Sequence, residues 1–162
     1  MNNTDSNSTK LLLGYWDLRG RAQAIRYLLE YLQLPYEEKK YTDFEGWFVK
    51  DKNTLPLAFP STPYLKDGEK YYTQSETIYV YLCKKAGRAD LLGKNDEDQF
   101  EVLTTRGVVA DITNATGQLV QNKGWEEIFD STMDQNVAPK LAQLSKYLGE
   151  KEFLHGYITY VD

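Results

Sequence analysis

Residues 11–33, LLLGYWDLRGRAQAIRYLLEYLQ, decide the fold: an apolar run stops at a tyrosine and a charged turn, and an amphipathic helix follows. Leu11, Leu12 and Leu13 are too few to span a membrane and lead into Gly14, Tyr15 and Trp16, which predicts a short buried strand. Asp17 to Gly20 make the turn. From Arg21 on, Ala22, Ile25, Leu29 and Leu32 recur at three- and four-residue spacing, with Gln23, Arg26, Glu30 and Gln33 off that face, so the helix packs one side on a sheet. Pro35 closes it. Residues 36–41, YEEKKY, read as a second strand, and a strand, helix and strand in about thirty residues imply a crossover and parallel pairing. Ligands of open α/β sheets lie beyond the carboxyl ends of the strands, where Tyr15 and Trp16 stand.

Composition narrows the chemistry. The chain has 162 residues, 41% apolar and 14% aromatic, which suits one sizeable core or two small ones. A net charge of −5 without a Lys/Arg block gives no electrostatic case for nucleic acid, and no apolar run reaches membrane length. Cys83 is the sole cysteine and His155 the sole histidine, which excludes an internal disulfide and argues against a His-rich metal site or a histidine triad. Residues 1–10, MNNTDSNSTK, are polar and lack a signal-peptide core, so a flexible extension on a cytoplasmic protein is expected.

Residues 42–60 lack periodicity and carry Gly46, Asn53 and Pro56, predicting a loop with a short helix over residues 47–52. Residues 61–65 and 70–73 read as a hairpin whose turn is Asp67-Gly68. Pro63 cannot donate to a ladder, so an extended ligand could pair with backbone beside it. Thr73 and Glu76 have the spacing of a capping box for a helix that ends at Gly87. Its first-turn amides suit a carboxylate beside Ser75, although Ser75 taken alone reads first as a plain helix cap. Beyond a linker-like stretch at 86–95 the pattern is helical throughout. Phe100, Leu103, Val108, Ile112, Ala115 and Leu119 mark one long helix, and Ile128, Val137, Leu141, Leu144 and Leu148 a second that Pro139 kinks or breaks.

Several of these strings together resemble a family. GYWDLRG after an apolar strand, YEEKKYT, Trp47 before a lysine-containing loop, FPSTPYLKDG, TQSETI at a helix start and an all-helical second half are similar to a cytosolic glutathione transferase, with mu the nearest class. The resemblance implies an α/β plus α architecture: a thioredoxin-like glutathione-binding domain at 11–88, then an all-helical domain at 89–162, usually in a homodimer. It implies attack of the glutathione thiolate on an electrophilic small molecule, with glutathione as co-substrate and no metal. Tyr15 matches the catalytic tyrosine. Thr62 offers its backbone to the cysteinyl moiety beside Pro63, cis in the family; Gln74 and Ser75 match the γ-glutamyl site. Trp16, Trp47 and either Lys50 or Lys52 match positions around the glycyl end. Asp111 matches an acidic residue that reaches the neighbouring subunit's glutathione, and Phe59 the aromatic key of the dimer contact.

The departures are specific. Only residues 43–46 separate Thr42 from Trp47, so the long loop of the mu class and its arginine are absent. Gln121 stands where a mu enzyme carries a tyrosine for the electrophile, and Val80 where an interface arginine is expected. Residues 156–162, GYITYVD, resemble the family's loop and capping box before the central helix of the second domain, with Thr159 and Asp162 at capping-box spacing. The resemblance implies further helices after Asp162, so the helical domain reads as truncated and the apolar faces of its long helices lack their cover. Two alternatives stay open beside conjugation: a non-catalytic transferase-like subunit of a larger assembly, and a glutathione-dependent peroxidase or isomerase.

Overall fold

A computed structural model describes residues 10–162, so of the extension expected at residues 1–10 only Lys10 lies within the described residues. The chain divides into two compact units, one ending at Gly87 and the other Arg88–Asp162. In the first, β1 (Leu11–Trp16), β2 (Tyr36–Tyr41), β3 (Tyr64–Asp67) and β4 (Lys70–Thr73) form one sheet in the order β2-β1-β3-β4. β1 and β2 run parallel, while β3 is antiparallel to both β1 and β4. The crossover begins with a 3-10 turn, Gly20–Ala22, which runs into α1 (Gln23–Tyr31). α2 (Ser75–Lys85) follows β4.

The pleat gives the sheet two unlike faces. Leu11, Leu13 and Tyr15 share one face with Leu65, and all four are buried with Ala22, Ile25 and Leu29 from the crossover and with Ile78, Leu82 and Cys83 of α2. Arg26 locks α1 to β2 with a two-pronged hydrogen bond to Glu38, at 3.0 and 3.1 Å. On the other face the ring of Tyr64 lies over Gly14, where a Cβ would meet it at 2.1 Å. That vacancy admits an aromatic layer of Tyr41, Trp47 and Tyr64, with Trp16, Leu55, Leu57 and Tyr71 packed against it.

Three local expectations are corrected. The hairpin turn is Gly68-Glu69, with Gly68 at φ 56°, and Asp67 belongs to β3. Asp67 instead faces α2, accepting hydrogen bonds from the Tyr81 hydroxyl and from Lys85 at 2.5 Å. Burial pushes its carboxyl up, but these two donors outweigh burial and hold it below 3.8. At the start of α2, Thr73 is the last strand residue and Gln74 occupies the N-cap position without a side-chain cap bond, in place of the expected Thr73 and Glu76 box. The segment expected as a short helix at 47–52 is a π-helical turn, Glu45–Asp51.

In the second unit a 3-10 turn, Ala89–Leu92, precedes α3 (Asp96–Gln121), whose N-cap Asn95 accepts the Asp98 amide at 3.0 Å. α4 (Trp125–Thr132), a π-helical turn (Met133–Val137) and α5 (Ala138–Leu148) follow. Pro139 lies in the first turn of α5, directly after the π-helical turn, so the expected kink or break is a π-turn within a continuous helical path. Phe100, Leu103, Leu141 and Tyr147 remain exposed, and a groove of about 520 Å³ runs between α3 and α5 along Phe100, Val108, Leu144 and Tyr147. His155 is half-buried with Nδ1 3.3 Å from the Tyr147 hydroxyl. The Asp162 carboxylate accepts from the Thr159 amide and hydroxyl at 2.9 and 2.8 Å, as the capping-box spacing anticipated. Among the described residues no helix is long and apolar enough to cross a membrane.

Two outcomes follow for stability. Gly14→Ala is expected to lower the urea midpoint by an amount equivalent to about 1–3 kcal/mol at unchanged m-value, because the new methyl overlaps a buried ring. The folded-state pKa of Asp67 lies below its unfolded value, so its stabilisation is complete above about pH 4 and fades as pH falls through the folded pKa. In urea titrations between pH 7 and 2, Asp67→Asn should be the less stable protein at neutral pH and show a shallower acid decline; parallel curves would refute the coupling.

Candidate active site

Tyr15 ends the buried run of β1 and is 8% exposed. Its hydroxyl oxygen accepts the Arg21 backbone N–H at 3.1 Å. That amide belongs to the 3-10 turn opening the crossover helix, where backbone N–H groups lack intrahelical acceptors. With the oxygen so engaged, the phenolic proton is left to donate elsewhere. Gly20 makes the close approach possible: φ is +37°, and a Cβ there would stand 2.7 Å from the Tyr15 hydroxyl and 2.6 Å from Leu18 Cδ1.

The sheet register gathers other sequence-chosen residues at this end. Gly14 pairs with Tyr64, so the Thr62–Pro63 peptide preceding β3 comes level with Tyr15 and Trp16; it is cis, with Pro63 buried. Tyr64 also pairs with Thr73, which brings Gln74 and Ser75 to the same level. Gln74 adopts φ 69° and ψ 122°, a conformation costing a non-glycine residue about 1–3 kcal/mol and typical of ligand clamps. Gln74 makes no side-chain cap bond to the first turn of α2, whose positive end suits an anion.

The remaining candidates are arranged less directly. Trp16 points to the opposite face from Tyr15, its ring 6.0 Å from both Tyr41 and Phe48. Trp47 is 3% exposed, set edge-on to Tyr41 at 5.3 Å and stacked on Tyr64 at 6.1 Å, so packing is its main role in this state. Lys50 pairs with Glu45 at 3.0 Å, and the Lys52 ammonium lies 5.0 Å above the Phe48 ring. Phe59 is 79% exposed. Asp111, in the second unit, pairs with Lys140 at 2.8 Å.

Sequence reading missed a polar cluster under Trp47. Asp51 accepts the Tyr41 hydroxyl and pairs with Lys39, both at 2.5 Å, and the Tyr41 and Tyr64 hydroxyls are 3.0 Å apart. Burial, then hydrogen bonding to Asp51 and Tyr64, pushes the Tyr41 phenol far up. The hydrogen bond to Asp51 raises Lys39. Burial works against the Asp51 carboxylate, but Lys39 and Tyr41 hold it below its usual range. The two-residue spacing of Lys39 and Tyr41 put them on one strand face; nothing in the spacing named Asp51 as their partner.

Comparison with known proteins gives the family. The family model for the glutathione S-transferase N-terminal domain matches residues 12–84. Human glutathione S-transferase Mu 1 is 36% identical over 160 residues, covering 94% of this chain and 71% of that protein; chicken glutathione S-transferase 2 is 35% identical, covering 93% and 70%. The chain belongs to the glutathione S-transferase family. Its affinity is mu-like, and its fold is a thioredoxin-like domain followed by helices. Among solved structures, rat hPGDS complexed with a quinoline superposes with a TM-score of 0.74 at 30% identity, covering 94% of this chain and 74% of that one. The glutathione S-transferase Blo t 8 gives 0.78 at 28% identity, covering 93% and 71%.

For this transferase the contact between Gly20 and Tyr15 is separable from backbone strain. Gly68 also has positive φ, +56°, but open space around it. Both Gly→Ala variants incur the conformational penalty of about 1 kcal/mol or more, so Gly20→Ala should lose additional stability from displacing Tyr15. Equal losses in urea unfolding would show that the hydroxyl yields at no cost.

Proposed function

We propose that this transferase conjugates reduced glutathione to electrophilic small molecules, with the Tyr15 hydroxyl holding the sulfur as thiolate. The observation that carries the reading is the Tyr15 hydroxyl itself, whose oxygen is taken by the Arg21 amide while its proton remains available at the sheet end. A free thiol has a pKa near ~8.5, and lowering it by two units needs about 2.7 kcal/mol in favour of the thiolate. One hydrogen bond to a charged group contributes about 1.5–3 kcal/mol, so a single phenol supplies most of it. The amide bonded to Tyr15 polarises the phenol towards donation, and the positive end of the crossover helix adds in the same sense.

The thiol proton leaves to solvent, the sulfur lone pair forms the S–C bond, and the electrophile's leaving group or opened π bond takes the displaced electrons. Backbone at Thr62, beside Pro63, suits the cysteinyl amide as an added strand. The backbone at Gln74 and Ser75, at the positive end of α2, suits the γ-glutamyl carboxylate. Trp16, Trp47 and Lys50 or Lys52 are assigned to the glycyl end. A cytoplasmic homodimer with exposed Phe59 as its apolar anchor completes the reading, with Asp111 turned to the partner's glutathione.

The test is Tyr15→Phe, followed by calorimetry with glutathione and by ultraviolet titration of the bound thiolate. Below about pH 6, where the sulfur is protonated both free and bound, the two proteins should bind the tripeptide with similar affinity. The bound thiol should titrate about two units below ~8.5 in the wild type and return towards ~8.5 in the variant, with turnover near neutral pH down by about thirtyfold for a loss of about 2 kcal/mol. An unchanged thiol pKa would remove Tyr15 from the chemistry.

A further inference from the structure

One carboxylate oxygen fastens the turn that carries the glycyl-end candidates. Asp51 closes the π-helical stretch Glu45–Asp51, and its Oδ2 takes both the Tyr41 hydroxyl and the Lys39 ammonium at 2.5 Å. Tyr41 has a single proton and gives it to the carboxylate, so in the 3.0 Å contact between phenols Tyr64 must be the donor. A directed chain results, from Tyr64 to Tyr41 to Asp51, completed by Lys39 from the neighbouring position on β2. The Asp51 side chain is only 16% exposed. The same two phenol rings form the seat of Trp47. The Lys52 amide donates back to the Trp47 carbonyl at 2.8 Å, the wide bond of a π-turn, so residues 47–52 move as a unit. Lys50 and Lys52 make their side-chain contacts within the 45–52 turn, with Glu45 and Phe48.

We propose that Asp51, acting through Tyr41 and Tyr64, is a positioning residue of the glutathione site, holding the 45–52 turn against the sheet so that Trp47 and the adjacent lysines meet the glycyl end of the tripeptide. Resting on the glutathione reading, it adds residues that touch no ligand. Tyr15, Thr62, Gln74 and Ser75 hold the γ-glutamyl and cysteinyl parts from other elements. A role confined to the glycyl end therefore has a signature that general destabilisation lacks: the tripeptide is penalised and γ-glutamylcysteine, which has no glycine, is not.

The experiment measures calorimetric dissociation constants of glutathione and γ-glutamylcysteine for the wild-type chain, Asp51→Ala and Tyr41→Phe, with thermal melts on each. Asp51→Ala should weaken glutathione about tenfold and γ-glutamylcysteine by less than about twofold. Tyr41→Phe, which keeps the ring and the Asp51–Lys39 pair, should shift the same ratio in the same direction by less, and carries the comparison if Asp51→Ala fails to fold. Equal weakening of the two ligands, or no weakening of either, overturns the positioning role. A wild-type chain that binds neither ligand overturns the glutathione reading itself, a result distinct from binding without selectivity.

Discussion

The hydrogen bond from the Arg21 amide to the Tyr15 hydroxyl joins the end of a strand to the start of the helix that follows it, and the candidate active site depends on that junction. It forms only if the intervening turn brings backbone within reach of a side chain on the sheet, which Gly20 permits at positive φ. The turn is in turn held by Arg26, whose guanidinium donates to the Leu18 and Arg19 carbonyls at 3.2 and 3.3 Å while its other nitrogens clasp Glu38. One planar cation thus links α1, β2 and the turn. Such a fork is a task for arginine, since lysine offers one point of charge and no fixed directions.

The two faces of the sheet solve different problems. On the helix-covered side, Leu11, Leu13 and Leu65 with Ile25, Leu29, Ile78 and Leu82 make an apolar core. On the other side only short segments are available as cover, and the sheet uses rings instead. Gly14 gives up its side chain so that Tyr64 lies flat over the strand, and Tyr64 then supports Trp47. Phenols bring hydroxyls with them, and buried hydroxyls need partners. Asp51 and Lys39 supply those partners, so the aromatic layer and the polar cluster are two parts of one construction.

Legibility followed locality. The β1, crossover and β2 unit could be read from residues 11–41 because strand, turn and helix periods lie side by side in the chain. Tyr15 stood out because a strand end is visible in sequence; its bond to Arg21 was not, since it depends on the angle at which the helix leaves. The hairpin was placed but its turn was one residue early: Asp67 reads as a turn former from its neighbour Gly68, whereas it pairs with Lys70 in the strand and its carboxylate is held by Tyr81 and Lys85, 14 and 18 residues away. Thr73 and Glu76 matched a capping pattern, yet pairing with Tyr64 held Thr73 in β4 and passed the cap position to Gln74. Pro139 could be recognised as an interruption, but the π-turn before it carries no periodic signature. The Asp51 cluster joins residues 10 and 23 positions from Tyr41 through a turn type that sequence seldom declares.

Asp111 raises a question of competition. Its carboxylate is held by Lys140 within the same unit, whereas the family resemblance turns it to a neighbouring subunit's glutathione, whose ammonium is the cation it could meet. The two roles are compatible on energetic grounds. The side chains of Lys140 and Asp111 are 33% and 58% exposed, and pairs this open to water contribute at most about 1 kcal/mol. An incoming ammonium replaces one cation with another at the same carboxylate, leaving Lys140 to regain its hydration at the surface. The pair therefore orients Asp111 without committing it. A buried clasp such as Arg26 with Glu38 would not release its carboxylate so readily, because the cation left behind would be unpaired and poorly solvated.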